Sequence, residues 1–199
     1  MKRALDIVLS ALGLIASAPL WAVLAAAIKA LDGGPVFFRQ ERVGKGGRLF
    51  TALKFRSMRP DAEALVGAVQ ATENDPRVTS IGRLMRATAM DELPQLWSIF
   101  VGDMSFVGPR ALRPGEIEAV GEALVRLEDV PGYHQRIQVP PGLTGIAQIY
   151  APRNVRRRHK FRYDRLYVRK QSWTLDARLI LLSFWISFLG TWEARGRKY

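Results

Sequence analysis

The chain of 199 residues contains no cysteine and only two histidines, His134 and His159. Without cysteine there can be no disulfide, no thiolate catalysis and no cysteine-ligated zinc. Two histidines offer little material for a histidine metal cluster or a serine–histidine triad. The sequence also lacks a P-loop and a dinucleotide-binding fingerprint, because the glycines at 44–47 are not followed by Lys-Ser/Thr.

Acidic residues are scarce as well. The chain has 18 aspartates and glutamates against 30 lysines and arginines, which gives a formal net charge of +12. Such a charge attracts polyanions, namely nucleic acid, anionic lipid headgroups or phosphorylated small molecules. A hydrophobic content of 48% is sufficient for a core, and the chain length favours one domain.

An almost uninterrupted apolar run occupies residues 4–31 and is long enough to cross a bilayer, which takes roughly 20 residues. A cleaved signal peptide is one interpretation, but Pro19 would directly follow the cleavage site and the apolar run continues beyond it. A kinked transmembrane span is a second interpretation. Because Pro19 breaks or kinks a helix, a re-entrant hairpin that turns there is the third.

Basic residues flank both ends of this run, with Lys2 and Arg3 before it, Lys29 near its end, and Arg39, Arg42, Lys45 and Arg48 after it. Positive charge marks the cytoplasmic side of a membrane segment, so both ends carry the same mark. This favours the re-entrant hairpin modestly over the kinked span. The hydroxyl of Ser17 is available to carbonyl groups that Pro19 leaves without a donor.

Short elements are predicted after the Gly33-Gly34-Pro35 break. The sequence therefore predicts an α+β fold that is mostly helical, with a membrane hairpin over 1–32 and a compact cytosolic domain over 33–199. The predicted elements are strands over Val36–Arg42 and Leu49–Arg56, helices over Asp61–Ala71 and Ile81–Arg86, a helix capped by Asp91 and ending at Phe100, an extended Met104–Val107, and helices over Glu116–Glu128 and Val155–Lys170.

The C-terminal stretch over about 175–192 is apolar and aromatic. It is compatible with a core helix or with an amphipathic helix that lies on a membrane surface. Trp185 and Trp192 favour the membrane surface, because tryptophan is enriched at the boundary between lipid and water.

The adjacent carboxylates Asp91 and Glu92 stand among arginines and lysines. Such a pair near a helix start is usually a helix cap. Oxygen ligands of this type also hold magnesium where it bridges substrate phosphates, so a metal–phosphate site is the alternative. A second feature is the stretch from Arg153 to Lys170, where nine basic residues surround the single acid Asp164. Asp164 is interpreted either as a salt-bridge hub or as a second carboxylate of a metal or phosphate site.

The ordered set of short motifs resembles the small monotopic phosphoglycosyl transferases, which are bacterial sugar transferases that act on polyprenyl phosphates. The resemblance runs through almost the whole chain. It departs at Ala18-Pro19, where the family often has Ser-Pro, and at Ala111, where the family has a second proline. The motifs that carry it are Gly34-Pro35-Val36-Phe37-Phe38-Arg39-Gln40-Glu41-Arg42-Val43-Gly44, Lys54-Phe55-Arg56-Ser57-Met58, Asp91-Glu92-Leu93-Pro94-Gln95-Leu96-Trp97, Gly102-Asp103-Met104-Ser105-Phe106-Val107-Gly108-Pro109-Arg110, Pro141-Gly142-Leu143-Thr144-Gly145 and Tyr163-Asp164.

The resemblance implies a ping-pong reaction in which Asp91 attacks the β-phosphate of a UDP-sugar and releases UMP. A polyprenyl phosphate then takes the phosphosugar from Asp91. Glu92, together with Asp91, is expected to hold Mg²⁺ as the cofactor. The residues expected to contact phosphate or substrate are Lys54, Arg56, Arg86, Arg110, Arg153 and Asp164.

The resemblance also places the protein at the cytoplasmic face of a bacterial inner membrane, as a monotopic enzyme of glycoconjugate or exopolysaccharide assembly. Its expected partners are a UDP-sugar, an undecaprenyl-type phosphate and membrane lipid, without nucleic acid, and a homodimer is left open. The alternative function is a non-enzymatic basic adaptor that binds anionic lipid or nucleic acid through the stretch from Arg153 to Lys170. A transferase without a covalent intermediate is a further alternative.

Overall fold

A single helix, α1, forms the N-terminal part of the computed structural model, which describes residues 2–62, 75–120, 123–152 and 155–192. Helix α1 extends over Lys2–Asp32 and includes Pro19 without the interruption predicted there. Within the described ranges it is the one helix whose length and hydropathy suit a membrane span. Ser17 Oγ lies 3.5 Å from the carbonyl of Leu14 and accepts a hydrogen bond of 3.1 Å from Trp21 Nε1.

One face of α1 is fixed to the rest of the protein along the whole length of the helix. Near its start, the carboxylate of Asp6 is buried and accepts hydrogen bonds of 3.1 Å from Ser105 Oγ and from the backbone N–H of Phe106. Near its end, Leu24 and Ile28 are buried in an apolar cluster. The other face exposes large apolar side chains, which are Val8, Leu12, Ile15, Val23 and Leu31.

Two antiparallel strands follow α1, as the sequence predicts. Strand β1 (Phe37–Val43) pairs with β2 (Leu49–Phe55), so that Phe38 lies opposite Lys54. A short 3-10 turn over Lys45–Gly47 joins them. Strand β2 packs on helix α3 (Gln95–Val101).

A second, parallel pair consists of β3 (Ser105–Val107) and β6 (Gly142–Thr144). The two strands can approach closely because Gly142 has no side chain. A Cβ there would lie only 2.0 Å from the backbone nitrogen of Gly108. Both glycines belong to motifs that the sequence singled out. This pair fixes the segment that leads from β3 into Arg110.

The helix predicted over Glu116–Glu128 is wrong. The structure has an antiparallel hairpin there, β4 (Ile117–Val120) and β5 (Ala123–Arg126), in which Val120 lies opposite Ala123. The residues Ile117, Val120 and Val125 are β-branched, which favours strands over helices. Gly121 between the strands disfavours a helix, and this signal was available in the sequence.

Most of the remaining predictions are confirmed, with α2, α6 and α7 close to the predicted bounds. The helix predicted over Asp61–Ala71 falls mainly on residues outside the described ranges. The fold is α+β and largely helical. The other helices are α2 (Ser80–Thr88), α4 (Tyr133–Arg136), α5 (Ile146–Tyr150), α6 (Arg157–Lys170) and α7 (Trp173–Phe188), with 3-10 turns at Met90–Glu92 and Leu127–Asp129.

Helix α7, like α1, exposes large apolar side chains. Its side chain Leu179 is fully buried, whereas Leu181, Phe184, Trp185 and Phe188 are between 59% and 83% exposed. The interpretation of α7 as a core helix is therefore wrong, since Leu179 is its one buried residue and half of its large apolar side chains are exposed. The N-terminal end of α1 contacts α7, where Lys2 forms a salt bridge with Asp176.

Candidate active site

The carboxylate pair lies in a tight turn between α2 and α3. Ala89 caps the C-terminal end of α2; it has φ 59° and is the one non-glycine residue with positive φ in the described ranges. The 3-10 turn over Met90–Glu92 follows directly. A left-handed alanine is strained, so the surrounding packing must hold this turn in place. This turn contacts β2, and Lys54 near the end of β2 forms a salt bridge with Glu92.

The prediction that Asp91 caps α3 is wrong. Pro94 occupies the N-cap position of α3, and no side-chain hydrogen bond caps the helix. Within the described ranges, no hydrogen bond reaches the carboxylate of Asp91. Its oxygens are therefore available to a substrate, although the residue is only 9% exposed.

Burial raises the pKa of Asp91 from 3.8 to about 6, and the negative charge of Glu92 acts in the same direction. The cations Lys54, Arg86 and Arg110 oppose this rise. The carboxylate remains mostly ionised at pH 7 and is more basic than an exposed aspartate. Such a group suits attack on phosphorus.

Glu92 is held by two cations. It accepts a hydrogen bond from Lys54 Nζ, and Arg110 Nη2 lies 3.3 Å from the same oxygen, Oε1. Burial alone would raise the pKa of Glu92, but the charges of Lys54 and Arg110 outweigh it and lower the pKa to about 2. Burial also lowers the pKa of Lys54, and Glu92 opposes that change. The two adjacent acids therefore differ in their electrostatic environment.

The backbone of Arg110 is held in place by Arg136, a residue that the sequence did not single out. Arg136 is 4% exposed, donates from Nε to Asp164 Oδ2 at 2.9 Å, and donates from Nη2 to the backbone carbonyl of Arg110. Its guanidinium also lies 4.9 Å from the centre of the Phe161 ring. Burial raises the pKa of Asp164, and Arg136 opposes the rise. Of the two interpretations of Asp164, the structure shows the salt bridge.

Arg136 is located in a segment that sequence patterns left without interpretation. Its helix α4 is only four residues long and begins after Gly132, which has φ 105°. Arg42 was counted only as a flanking charge, yet its guanidinium donates to the carbonyl of Ala111 at 3.0 Å. Burial and the neighbouring Arg110 lower the pKa of Arg42 to about 10.

A cavity of about 1220 Å³ brings these groups together. It is lined by every predicted site residue except Pro19 and Arg153, and Arg153 lies outside the described ranges. Its charged part contains the carboxylate pair together with Lys54, Arg56, Arg86, Arg110 and Asp164. Its apolar part is formed by α1 and α7, through Leu9, Leu12, Leu20, Ile180 and Phe184. The cavity therefore suits an anionic group joined to a long apolar chain.

The carboxylate pair also fits a magnesium ion. The described ranges contain no group of three or more side chains that could hold a metal. Magnesium usually takes one or two carboxylates and completes its octahedral shell with water and substrate phosphates. Asp91 and Glu92 supply two carboxylates at a cavity rich in cations, which matches this pattern.

Comparison with known proteins adds to this geometry. The family described as bacterial sugar transferase matches residues 1–190. The exopolysaccharide production protein PSS of Rhizobium leguminosarum bv. phaseoli is 41% identical over 185 residues, which covers 90% of this chain and 91% of that protein.

Longer relatives carry names that state a reaction. The UDP-glucose:undecaprenyl-phosphate glucose-1-phosphate transferase of Klebsiella pneumoniae is 39% identical over 193 residues, covering 94% of this chain and 40% of the relative. The galactosyl transferase CpsE of Streptococcus agalactiae serotype III is 36% identical over 201 residues, covering 96% of this chain and 42% of the relative. The chain thus spans less than half the length of these two proteins, and their names differ in the sugar.

Proposed function

Because the chain belongs to the bacterial sugar transferase family, we propose that it transfers a sugar 1-phosphate from a UDP-sugar to a polyprenyl phosphate. The products are a polyprenyl diphosphate sugar and UMP, at the first membrane step of glycoconjugate assembly. The observation that carries this proposal is the cavity, where the carboxylate of Asp91 lies among cations and beside an apolar wall from α1 and α7. The names of the relatives support both substrates.

In the first step, an oxygen of Asp91 attacks the β-phosphorus of the UDP-sugar. The bond from that phosphorus to the bridging oxygen breaks, and UMP leaves with the electron pair. An acyl phosphosugar remains on Asp91. In the second step, an oxygen of the polyprenyl phosphate attacks the same phosphorus, and the carboxylate of Asp91 is released. No proton has to be removed from Asp91, because it is mostly ionised at pH 7.

The neighbouring residues divide the remaining tasks. Arg110, whose side chain is 48% exposed, is free enough to bind phosphate oxygens with its guanidinium. Lys54 and Arg86 add positive charge close to Asp91. Arg136 and Asp164 hold the backbone of Arg110 in place. Phosphoryl transfer depends mainly on such positioning and on compensation of the charge on the phosphates.

We assign Mg²⁺ to Glu92 and Asp91. When bound, the ion would reduce the negative charge on the diphosphate that the carboxylate must approach. Glu92 suits this role because its lowered pKa keeps it ionised over the whole physiological range. Asp91 therefore reacts with the substrate while its neighbour stays charged.

The apolar helices indicate how the protein meets the lipid acceptor. Helix α1 would be about 46 Å long if straight, which exceeds the roughly 30 Å hydrocarbon core of a bilayer. Both of its ends contact the same folded domain, through Lys2–Asp176 at one end and Asp32–Arg56 at the other. We therefore propose that α1 enters and leaves the membrane on one side, with Pro19 between its halves. The exposed face of α7 lies in the same interface, and the cavity opens towards the cytoplasm.

The proposal is tested by the first half-reaction alone. The full-length protein is incubated with Mg²⁺ and radiolabelled UDP-glucose or UDP-galactose, without lipid acceptor. UMP is expected in an amount comparable to the amount of enzyme, together with label on the protein. Addition of polyprenyl phosphate is expected to remove the label and to start turnover.

Two variants make this experiment specific. Asp91→Asn is expected to yield neither UMP nor labelled protein. Asp103→Asn is the matched control, because Asp103 pairs with Arg48 on the surface and does not line the cavity. Activity retained by Asp91→Asn would place the nucleophile elsewhere. UMP formation only in the presence of acceptor, without labelled protein, would support direct transfer instead of a covalent intermediate.

A further inference from the structure

Arg56 lies directly after β2 and is 4% exposed. Its three guanidinium nitrogens are buried, and none of them has a hydrogen-bond partner in the described ranges. A buried charged group that leaves its donors unused is costly to the folded state. The arrangement indicates that a ligand supplies the missing acceptors.

The nearest anion does not fill this role. Asp32, at the end of α1, lies 3.7 Å from Arg56 Nη2, which is too long for a hydrogen bond. The oxygen concerned, Asp32 Oδ2, is itself buried without a hydrogen-bond partner. Asp32 therefore balances the charge of Arg56 in part but leaves its donors free.

Arg56 borders the cavity that contains the carboxylate pair. Arg56 lines it, together with Lys54 and Asp91. The backbone N–H of Arg56 donates to the carbonyl of Val36 at 2.9 Å and so continues the pairing of β1 with β2. Residues two apart on an extended chain share one face, about 6.7 Å apart, so Lys54 and Arg56 face the same side. A Cβ at Gly34 would lie 1.7 Å from Arg56 Nη1, so the glycine provides the space for the guanidinium.

We propose that Arg56 forms a second anion subsite next to Asp91 and binds the non-bridging oxygens of a substrate phosphate. This inference rests on the proposed function and adds a binding residue to it. A planar guanidinium suits two oxygens of one phosphate. Two substrate phosphates have non-bridging oxygens that a guanidinium can bind. One leaves with the nucleotide, and the other belongs to the lipid acceptor. The two half-reactions distinguish between them.

The test uses Arg56→Gln and Arg56→Lys in the full-length protein. UMP release is measured against UDP-sugar concentration without acceptor, and removal of the label is measured against polyprenyl phosphate concentration. Arg56→Gln is expected to lower kcat/KM roughly 10- to 100-fold in one of these half-reactions, as for loss of a charge-assisted hydrogen bond. A loss in the first half-reaction identifies the nucleotide phosphate, and a loss in the second identifies the lipid phosphate. Arg56→Lys keeps the charge and is expected to lose less.

Asp32→Asn separates binding from a structural contact. If Arg56 only ties α1 to β2 through Asp32, Asp32→Asn should lose as much activity as Arg56→Gln, and this result would overturn the inference. If Arg56 binds phosphate, Asp32→Asn is expected to keep or improve kcat/KM, because a competing carboxylate is removed.

Thermal unfolding and recovery in the membrane fraction check that each variant is folded. If Arg56→Gln does not fold, the comparison of Arg56→Lys with Asp32→Asn decides the question in the same way. Unchanged kinetics in both half-reactions for the folded Arg56 variants would also overturn the inference. A wild-type protein that releases no UMP would contradict the proposed function instead.

Discussion

Replacement of Asp91 by asparagine is expected to abolish transfer and at the same time to stabilise the fold. Burial raises the pKa of Asp91 from 3.8 to about 6. At 1.36 kcal/mol for each pKa unit, the ionised carboxylate lowers the free energy of unfolding by up to about 3 kcal/mol at pH 7. Asparagine has a similar shape and carries no charge, so Asp91→Asn removes this cost. Active-site groups often reduce the stability of the folded protein in this way.

The neighbouring acid is expected to behave in the opposite way. The charges of Lys54 and Arg110 lower the pKa of Glu92 from 4.5 to about 2 despite its burial. The ionised form therefore stabilises the fold by up to about 3 kcal/mol. Glu92→Gln removes this contribution and leaves the buried Lys54 without its partner. Two adjacent carboxylates thus have opposite effects on stability.

The assay is thermal unfolding of the detergent-solubilised protein without Mg²⁺ or substrate, for the wild type and both variants, from pH 4 to pH 8. For a chain of this size, 1 kcal/mol corresponds to about 2–4 °C. Asp91→Asn is expected to unfold up to roughly 10 °C above the wild type at pH 7, and Glu92→Gln below it. Asp103→Asn is the control, since an exposed ion pair contributes less than about 1 kcal/mol.

The pH dependence provides the sharper criterion. A raised carboxyl pKa means that the folded protein binds the proton more readily than the unfolded chain. The advantage of Asp91→Asn is therefore full above pH 6 and shrinks as the pH falls towards 4. For Glu92 the stabilisation is present above pH 4.5 and is lost only as the pH falls towards 2. An advantage of Asp91→Asn that is absent at pH 7, or that grows in acid, would refute the reasoning.

Three further predictions follow from the contacts around the cavity. Arg136→Met is expected to lower kcat of UMP release by about tenfold with a smaller change in KM, because the backbone of Arg110 loses its support. Arg136→Lys is expected to recover part of this rate. Arg126→Met, at an exposed position, is the control and is expected to leave the rate unchanged. Chelation with EDTA is expected to stop UMP release and added Mg²⁺ to restore it, whereas release that continues in EDTA would remove the metal from the proposal. Because the chain has no cysteine, single cysteines at Ala4 and Ala30 can be probed in intact cells with a membrane-impermeant maleimide. Both are expected to be protected until the inner membrane is opened, and labelling of only one of them from outside would show a span.

Local sequence patterns were sufficient for most of the helices and strands. The two short strands around the glycine-rich turn and the apolar run over 4–31 depend on neighbouring residues, so they can be recognised without tertiary information. The hairpin of β4 and β5 was mistaken for a helix, because glutamate, alanine and leucine, which favour helices, are frequent in this segment. Asp91 was mistaken for a helix cap, since its role depends on the left-handed Ala89, which no local pattern predicts.

The site residues divide in the same way. Lys54, Asp91, Glu92 and Arg110 belong to short motifs of unusual composition, so the sequence alone determined them as candidates. Arg136 belongs to no motif, and its role arises only because the fold brings it to Asp164, 28 residues away.

The sequence by itself determined a basic, cysteine-free chain with a long apolar helix, an acidic pair and a recognisable family pattern. Only the tertiary structure decided that α1 and α7 form one wall of the cavity that contains the pair. It also decided that no hydrogen bond from the described part of the chain reaches the Asp91 carboxylate, while Glu92 is held by Lys54 and Arg110. The physical reason is that burial and charge at a residue depend on distant segments packed around it. Neighbours in sequence can therefore acquire opposite pKa shifts and different roles.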